Sequence, residues 1–312
     1  MKVLITGING FVGSNLAHTL HSHDIYGVST DFSNTNKDIE IFSWNDLNKI
    51  PHADVIIHLA GKAHDTKNRT KTQEYFNINA GLTYRIFDWF LESTARKFIF
   101  FSSIKAVADD VDGILTEDMT PAPISPYGES KLKAEEYIKK YCNYATSKLG
   151  KQIYILRPCM IHGHGNKGNL NLLYNVARKR IPWPLGAFDN QRSFISMDNV
   201  SYIIKLLVEQ NISSGIYNLA DDEPISTNEI IRIICDVMPC ECKIWRINKN
   251  LIMSIAMLGS IIHLPLNWER LKKLTQNFVV SNDKIKKTLF IENLPLSAKE
   301  GLIKTFHSFN TG

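Results

Sequence analysis

Short β-branched and aromatic runs alternate along this chain with longer segments whose apolar residues recur at three- and four-residue spacing. That is the pattern of βαβ units around a parallel sheet. The runs predict strands over Lys2 to Thr6, Ile25 to Ser29, Ile39 to Phe42, Val55 to Leu59, Lys97 to Ser102 and Ile153 to Arg157. Between them Val12 to His21, Gln73 to Ser93 and Tyr127 to Leu149 carry the helical period. Residues 1–160 therefore read as an α/β, doubly wound parallel sheet. After Arg157-Pro158 the regularity loosens into a loop rich in Gly and Asn. Short mixed elements follow at Leu170 to Arg180, Ser193 to Ser196, Asn199 to Glu209, Gly215 to Leu219 and Thr227 to Val237. Residues 161–312 read as a smaller mixed C-terminal lobe, with some chain returning to the first domain. No repeat or low-complexity tract marks a flexible linker, so the two parts are expected to pack together with a ligand between them.

Composition narrows the class. The chain has 312 residues, 44% of them hydrophobic and 21% charged, which excludes collagen-like, disordered and coiled-coil chains. The 36 Lys and Arg against 31 Asp and Glu give a net charge of +5, too small to argue for a nucleic acid partner. Five cysteines form an odd and sparse set that does not read as a disulfide framework, so a reducing cytoplasm is the expected location. The apolar run at the start is too short for a signal peptide. The most apolar later stretch, Leu251 to Ile262, falls short of the ~18 residues needed to span a bilayer. It reads as a buried or substrate-lining helix, with an interfacial membrane helix as the alternative.

Two constellations carry chemistry. Thr6-Gly7-Ile8-Asn9-Gly10-Phe11-Val12-Gly13 follows the first strand and opens a helix. Glycines at that point let the backbone turn tightly and approach a pyrophosphate, while the helix N-terminus supplies free N–H groups and partial positive charge. Gly7, Asn9, Gly10, Phe11, Val12 and Gly13 are thus candidate dinucleotide contacts. Asp31 stands beyond the second strand, where a carboxylate accepts hydrogen bonds from an adenosine ribose. No basic residue follows it until Lys37, so a 2′-phosphate would face a like charge, and the pattern favours NAD over NADP. The second constellation is Ser102-Ser103 at a strand end with Tyr127-Gly128-Glu129-Ser130-Lys131 downstream. Tyr127 and Lys131 are i and i+4 on a predicted helix and share a face. A tyrosine of pKa near ~10 is a poor base at neutral pH. An ammonium one turn away, together with an oxidised nicotinamide, would stabilise its phenolate. Such a pair moves a proton on a substrate hydroxyl that Ser103 holds by hydrogen bond. Ser103, Tyr127 and Lys131 are the candidate catalytic residues.

With these residues in view, the sequence resembles the extended short-chain dehydrogenase/reductases, in the NAD-dependent epimerase/dehydratase group that includes UDP-galactose 4-epimerase. The resemblance rests on both constellations and on His58-Leu59-Ala60-Gly61, Asn77-Ile78-Asn79, Leu156-Arg157-Pro158, Arg192-Ser193-Phe194-Ile195 and Tyr217-Asn218-Leu219. It implies a Rossmann-type domain over 1–160 that holds NAD, with Leu59, Ala60, Gly61, Asn79, Tyr127 and Lys131 among the cofactor contacts. It implies a nucleotide-sugar-binding lobe over 161–312, with Asn169 and Arg192 at positions that in relatives meet the substrate diphosphate and Ser103 as a further substrate contact. A homodimer built through a four-helix bundle from Gln73 to Ser93 and Tyr127 to Leu149 is implied as well. Several departures matter. The third strand is followed by Ser43-Trp44-Asn45-Asp46 rather than opening on the Asp that reads adenine in relatives. Ile104-Lys105 follows Ser103 where family 4,6-dehydratases carry Asp-Glu, so the acid and base for water elimination are missing. Cys159-Met160-Ile161 replaces the Asn usual after the sixth strand of UDP-galactose 4-epimerases.

Three functions stay open at this stage: a 4-epimerase of a UDP-hexose or UDP-N-acetylhexosamine in surface polysaccharide biosynthesis, a 4-ketoreductase of a UDP-4-keto-6-deoxy-N-acetylhexosamine, and a dinucleotide-binding regulator without turnover. Cys159, His162 and His164 have ligand-like side chains but no evident fourth ligand, and Cys240 and Cys242 alternate across a strand, so no metal site is expected. Lys272, Lys273, Lys284, Lys286 and Lys287 read as a solvated helix face, or as neighbours of anionic lipid beside Leu251 to Ile262 in a weak membrane association.

Overall fold

The computed structural model describes every residue except 33–38, 63–70, 167, 239–240, 263–265 and 311–312. In chain order its strands are β1 (Lys2–Thr6), β2 (Asp24–Val28), β3 (Glu40–Phe42), β4 (Val55–His58), β5 (Lys97–Phe101), β6 (Ile114–Leu115), β7 (Gln152–Pro158), β8 (Met160–His162), β9 (Phe194–Ser196), β10 (Gly215–Leu219) and β11 (Val279–Val280). The helices are α1 (Phe11–Thr19), α2 (Thr72–Tyr75), α3 (Leu82–Glu92), α4 (Pro126–Leu149), α5 (Asn169–Arg178), α6 (Met197–Glu209), α7 (Thr227–Val237), α8 (Lys249–Ile261), α9 (Trp268–Thr275), α10 (Asp283–Leu289) and α11 (Ala298–Asn310). A π-helical turn (Phe76–Gly81) joins α2 to α3, and a 3₁₀ turn (Ile104–Ala106) follows β5.

Seven strands form one sheet in the order β3-β2-β1-β4-β5-β7-β10, with every pairing parallel. Parallel strands covered on both faces read as near-continuous apolar runs, and Val3, Leu4 and Ile5 of β1 are all fully buried. Alternation sorts them. Val3 and Ile5 pack with Leu16 of α1 and Ile203, Ile204 and Leu207 of α6 on one face. Leu4 packs with Ile86, Phe87 and Phe90 of α3 and Ala134 and Ile138 of α4 on the other. The result is the doubly wound, Rossmann-type sheet that the strand and helix pattern predicts. The chain order reverses between β1 and β4, and in such sheets ligands settle in the crevice outside the strand C-termini at that point.

The strands leave those C-termini as Gly7, Ser29, Leu59, Ser102 and Cys159. After β7 the chain builds a third core around α5, α7, α8 and α11, with Leu173, Ile234, Ile252 and Leu302 among its buried residues. β10 comes from this later part of the chain yet pairs with β7 as an edge of the main sheet. Helix α8 is buried only along Ile252, Ala256 and Gly259, so the stretch expected to be a buried helix is half covered.

Candidate active site

The glycine loop is shaped by contacts that exclude side chains. Gly7 sits at φ +71° after β1, and a Cβ there would lie 2.9 Å from the backbone of Ala60. A Cβ on Gly13 would lie 2.4 Å from the carbonyl oxygen of Gly7. The turn can therefore close on the β4 loop only without side chains at these positions. Helix α1 opens at Gly10 with no side-chain cap and no acidic residue in its first turn. Its first i→i−4 bond runs from the Ser14 N–H to the Gly10 carbonyl, 2.9 Å, which leaves the amides of Phe11, Val12 and Gly13 ahead of it. That is an anion-binding helix end of the kind that takes a diphosphate. Asn9 donates to the Asp31 carbonyl at 2.5 Å and to Ser29 Oγ at 3.4 Å, tying the loop to the end of β2. Asp31 itself is exposed there. Cradle, helix end and carboxylate together fit an adenine dinucleotide.

A buried chain of hydrogen bonds holds the next wall. Thr6 Oγ1 accepts from the Ala60 N–H at 3.1 Å and meets His58 Nδ1 at 2.6 Å. His58 Nε2 meets Thr83 Oγ1 at 2.9 Å, and Thr83 donates to the Asn79 carbonyl at 2.6 Å. Burial pushes the His58 pKa down to about 3, with the Lys131 charge adding to the effect, so the ring is a neutral strut. Asn79 lies in the π-helical turn, a distortion that often marks functional sites. Its side chain accepts from the Lys62 N–H at 2.7 Å and donates to Ser130 Oγ at 2.9 Å, clamping the loop after β4 to α4.

Helix α4 begins abruptly, which fixes where Tyr127 stands. Ser125 caps it by accepting from the Gly128 N–H at 3.2 Å, Pro126 occupies its first turn, and Asp109 accepts from the Ile124 and Ser125 amides at 2.8 and 2.9 Å. Tyr127 and Ser103 share a hydrogen bond between their hydroxyls. Ser103 Oγ also accepts from the Lys105 N–H at 3.2 Å. Tyr75 meets the Tyr127 ring edge-on at 6.1 Å between centroids. Lys131 is buried, donates from Nζ to the Phe101 carbonyl at 2.9 Å, and reaches the Gly61 backbone so closely that a Cβ there would lie 3.1 Å from Nζ. The structure thus gathers Ser103, Tyr127, Lys131, Gly61 and Asn79 at adjoining strand ends.

The electrostatics differ from the sequence expectation in one respect. Burial raises the Tyr127 pKa above its ordinary value, with the Ser103 hydrogen bond opposing it and Tyr75 adding to it. Lysine charge is not among the influences that set the phenol here. Burial also lowers Lys131 to about 8, opposed by the charge of Glu135 one turn further on. Glu135 is itself fully buried. Its carboxylate accepts from Ser102 Oγ at 2.6 Å, from Arg157 Nε at 2.9 Å and Nη2 at 2.6 Å, and lies 3.3 Å from Lys139 Nζ. An inward-facing carboxylate at i+4 from Lys131, with an arginine in a buried strand, was a signal available in the sequence.

Arg192 is brought to the same mouth. Its backbone is held by Ile225, with N–H to O distances of 3.1 and 2.8 Å, and it bridges to Phe278, over whose ring the Lys105 ammonium sits 4.4 Å from the centroid. The Arg192 guanidinium donates to the Lys273 carbonyl, and its charge acts on Lys105 and on the buried Cys159. Burial raises the Cys159 thiol, which keeps it protonated. Asn169 opens α5, and its side chain lies outside the described residues. His162 is buried and bonded to Thr305 at 2.9 Å. Among the described residues no group of three or more His, Cys, Asp or Glu converges on a point that could hold a metal ion, and Cys240 lies outside them.

Comparison with known proteins agrees with this fold. Residues 3–220 match the NAD dependent epimerase/dehydratase family. A UDP-glucose 4-epimerase of Vibrio cholerae is 30% identical over 250 residues, covering 74% of each chain. An N-acetyl-alpha-D-glucosaminyl-diphospho-ditrans,octacis-undecaprenol 4-epimerase of Escherichia coli O157:H7 is 26% identical over 239 residues, 74% of this chain and 70% of its own. Among solved structures, UDP-glucuronic acid 4-epimerase from Bacillus cereus in complex with NAD superposes with a TM-score of 0.75 at 19% identity, covering 100% of this chain and 99% of that one.

Proposed function

The chain belongs to the NAD dependent epimerase/dehydratase family, and from that premise we propose that it is a 4-epimerase of a UDP-linked hexose or N-acetylhexosamine, serving surface polysaccharide synthesis. The observation that carries the reading is the hydrogen-bonded pair of Ser103 and Tyr127 beside the buried Lys131, next to the glycine cradle. The relatives named above support the sugar class.

In this reading Gly7, Asn9, Gly10, Phe11, Val12 and Gly13 would hold the diphosphate of NAD, Asp31 a ribose, and Leu59, Ala60, Gly61 and Asn79 the part along the β4 loop, with Tyr127 and Lys131 beside the nicotinamide. Bound there, NAD would supply the reversible hydride acceptance at sugar C4. Tyr127 removes the proton from the C4 hydroxyl while the Ser103 hydroxyl holds the same oxygen. Burial, with Tyr75 adding to it, opposes the phenolate, so the positive charge that stabilises it has to be local, and Lys131 is the fixed cation nearest in sequence on that face. The Glu135 carboxylate in turn supports the Lys131 ammonium. The 4-keto sugar then presents its other face and regains its proton from Tyr127. Arg192 and Asn169 hold the sugar diphosphate, a task that suits a guanidinium because it pairs two donors with phosphate oxygens. The active form is a cytoplasmic homodimer in this reading.

A second reading is favoured by the Ser102-Ser103-Ile104-Lys105 string and the Gly165-Asn166-Lys167-Gly168-Asn169 loop, which resemble a branch serving surface-polysaccharide sugars that includes 4-ketoreductases: one-way reduction at C4 of a UDP-4-keto-6-deoxy-N-acetylhexosamine by the same three residues. The two part in one experiment. The purified protein, with no cofactor added, is incubated with UDP-N-acetylglucosamine and UDP-N-acetylgalactosamine separately, and the denatured supernatant is assayed for NAD. Interconversion with NAD carried through purification supports the epimerase. No interconversion, but oxidation of added NADH or NADPH once a 4-keto-6-deoxy sugar nucleotide is supplied, makes it the ketoreductase.

A further inference from the structure

Helix α8 has two apolar faces and a core for only one of them. Ile252, Ala256 and Gly259 are buried, at spacings of four and three residues. On the opposite side Leu251 (54% exposed), Ile255 (39%), Leu258 (60%) and Ile262 (64%) follow one another at four-, three- and four-residue spacing, flanked by Met257 and by Ile261 at 73%. Trp245 and Trp268, both exposed, stand before and after the helix. Among the described residues 16 large hydrophobic side chains are exposed, and eight of them fall between Trp245 and Trp268. A concentration of this kind marks an interaction surface, because exposed apolar residues on soluble chains are normally scattered.

Charge indicates what covers it. The stretch 241–275 holds six Lys and Arg against two Asp and Glu, a balance of +4 out of the +5 of the whole chain. Arg246 and Lys249 form no ion pair among the described residues, whereas Lys243, Lys272 and Lys273 are paired with Glu241, Asp110 and Glu269. An isologous contact with a second copy would set this basic stretch against itself. An anionic bilayer complements both properties: the apolar face enters the acyl boundary, the tryptophans settle at headgroup depth and the cations meet lipid phosphates. No described helix is long and apolar enough to cross a membrane, so the contact lies in the plane of the surface. We propose that the exposed face of α8, with Trp245 and Trp268, docks this protein on an anionic lipid surface. α9 links the docking face to the site, since the Lys273 carbonyl takes the Arg192 guanidinium.

The test uses the full chain and does not depend on turnover. Purified protein is floated with vesicles of phosphatidylcholine alone and of phosphatidylcholine with phosphatidylglycerol, at low and high salt. The docking face predicts flotation with the anionic vesicles at low salt and weakening at high salt. Leu258→Ser with Ile261→Ser should abolish it, and Arg246→Gln with Lys249→Gln should weaken it about thirtyfold. All four positions are exposed, so thermal midpoint and circular dichroism should match the wild type. Folded wild-type protein that does not float with anionic vesicles at low salt would overturn the proposal, as would variants that float equally well. A shift of oligomeric state in the serine variant, without flotation of the wild type, would assign the face to a second copy instead.

Discussion

Replacing Glu135 by glutamine tests the electrostatic frame beneath the site. Both carboxylate oxygens face donors: Oε1 takes Ser102 and Arg157 Nε, and Oε2 takes Arg157 Nη2 with Lys139 nearby. An amide cannot satisfy this arrangement, because either orientation sets its NH₂ group against an Arg157 donor. Arg157 is 1% exposed and would keep its charge with no anion in contact. Breaking a buried pair in this way costs about 3–5 kcal/mol. That is a large part of the ~5–15 kcal/mol that holds a typical domain folded. The variant should therefore lose about 3–5 kcal/mol in urea unfolding. Glu135→Leu with Arg157→Met should recover most of it, since an apolar pair leaves no charge unpaired. The second readout is the Lys131 ammonium. Its folded pKa of about 8 lies below the ordinary 10.5, so the native chain releases this proton first and the ammonium is lost as pH rises through about 8. On this group's account the unfolded chain binds more protons between about 8 and 10.5, and stability rises with pH across that window. Without the Glu135 charge the Lys131 pKa falls further, and the alkaline limb of kcat/KM moves to lower pH. A loss below about 1 kcal/mol with an unmoved alkaline limb would mean that the pair is worth no more than one at the surface and does not support the Lys131 charge.

Three further outcomes follow from the same contacts. Tyr127→Phe keeps the ring against Tyr75 but removes the acid–base group, so turnover should fall ~10²–10⁴-fold while NAD binding by calorimetry changes little; undiminished turnover would remove Tyr127 from the chemistry. Gly13→Ala drives a methyl to 2.4 Å from the Gly7 carbonyl and 2.7 Å from Ile8 backbone atoms, which cannot move aside as a flexible side chain could, so NAD affinity and thermal midpoint should both drop. Asp31→Ala should weaken NAD more than NADP in a binding titration; equal losses would cancel the argument for NAD.

The parts of the fold legible in the sequence are those set by local pattern. The strands of the first half sit within one or two residues of their apolar runs, because a strand buried on both faces leaves a continuous signature. The glycine loop was equally legible, since Gly7 and Gly13 make backbone contacts that admit no other residue. What escaped depends on contacts distant in sequence. The return of later chain to the first domain was expected, but not that β10 makes it by joining Gly215 to Tyr154, because a five-residue strand looks alike at a sheet edge and in a separate lobe. The Thr6–His58–Thr83 chain is built from three segments, none of which marks itself as polar core. The π-helical turn that carries Asn79 is hidden inside an ordinary helical period. Apolarity alone also misled at α8, where the hydrophobic residues outnumber the partners available to bury them.

A 4-epimerase of the kind proposed takes hydrogen from sugar C4 and returns it to the same carbon within one site. The most direct test is to supply the sugar nucleotide that the protein interconverts with deuterium at C4 and to examine the product by mass spectrometry and NMR, with a parallel reaction of unlabelled sugar in D₂O. The C4 epimer should keep its deuterium at C4 in ordinary water and gain none there from D₂O. Loss of the label to solvent, or uptake of deuterium at C4 from D₂O, would contradict this mechanism.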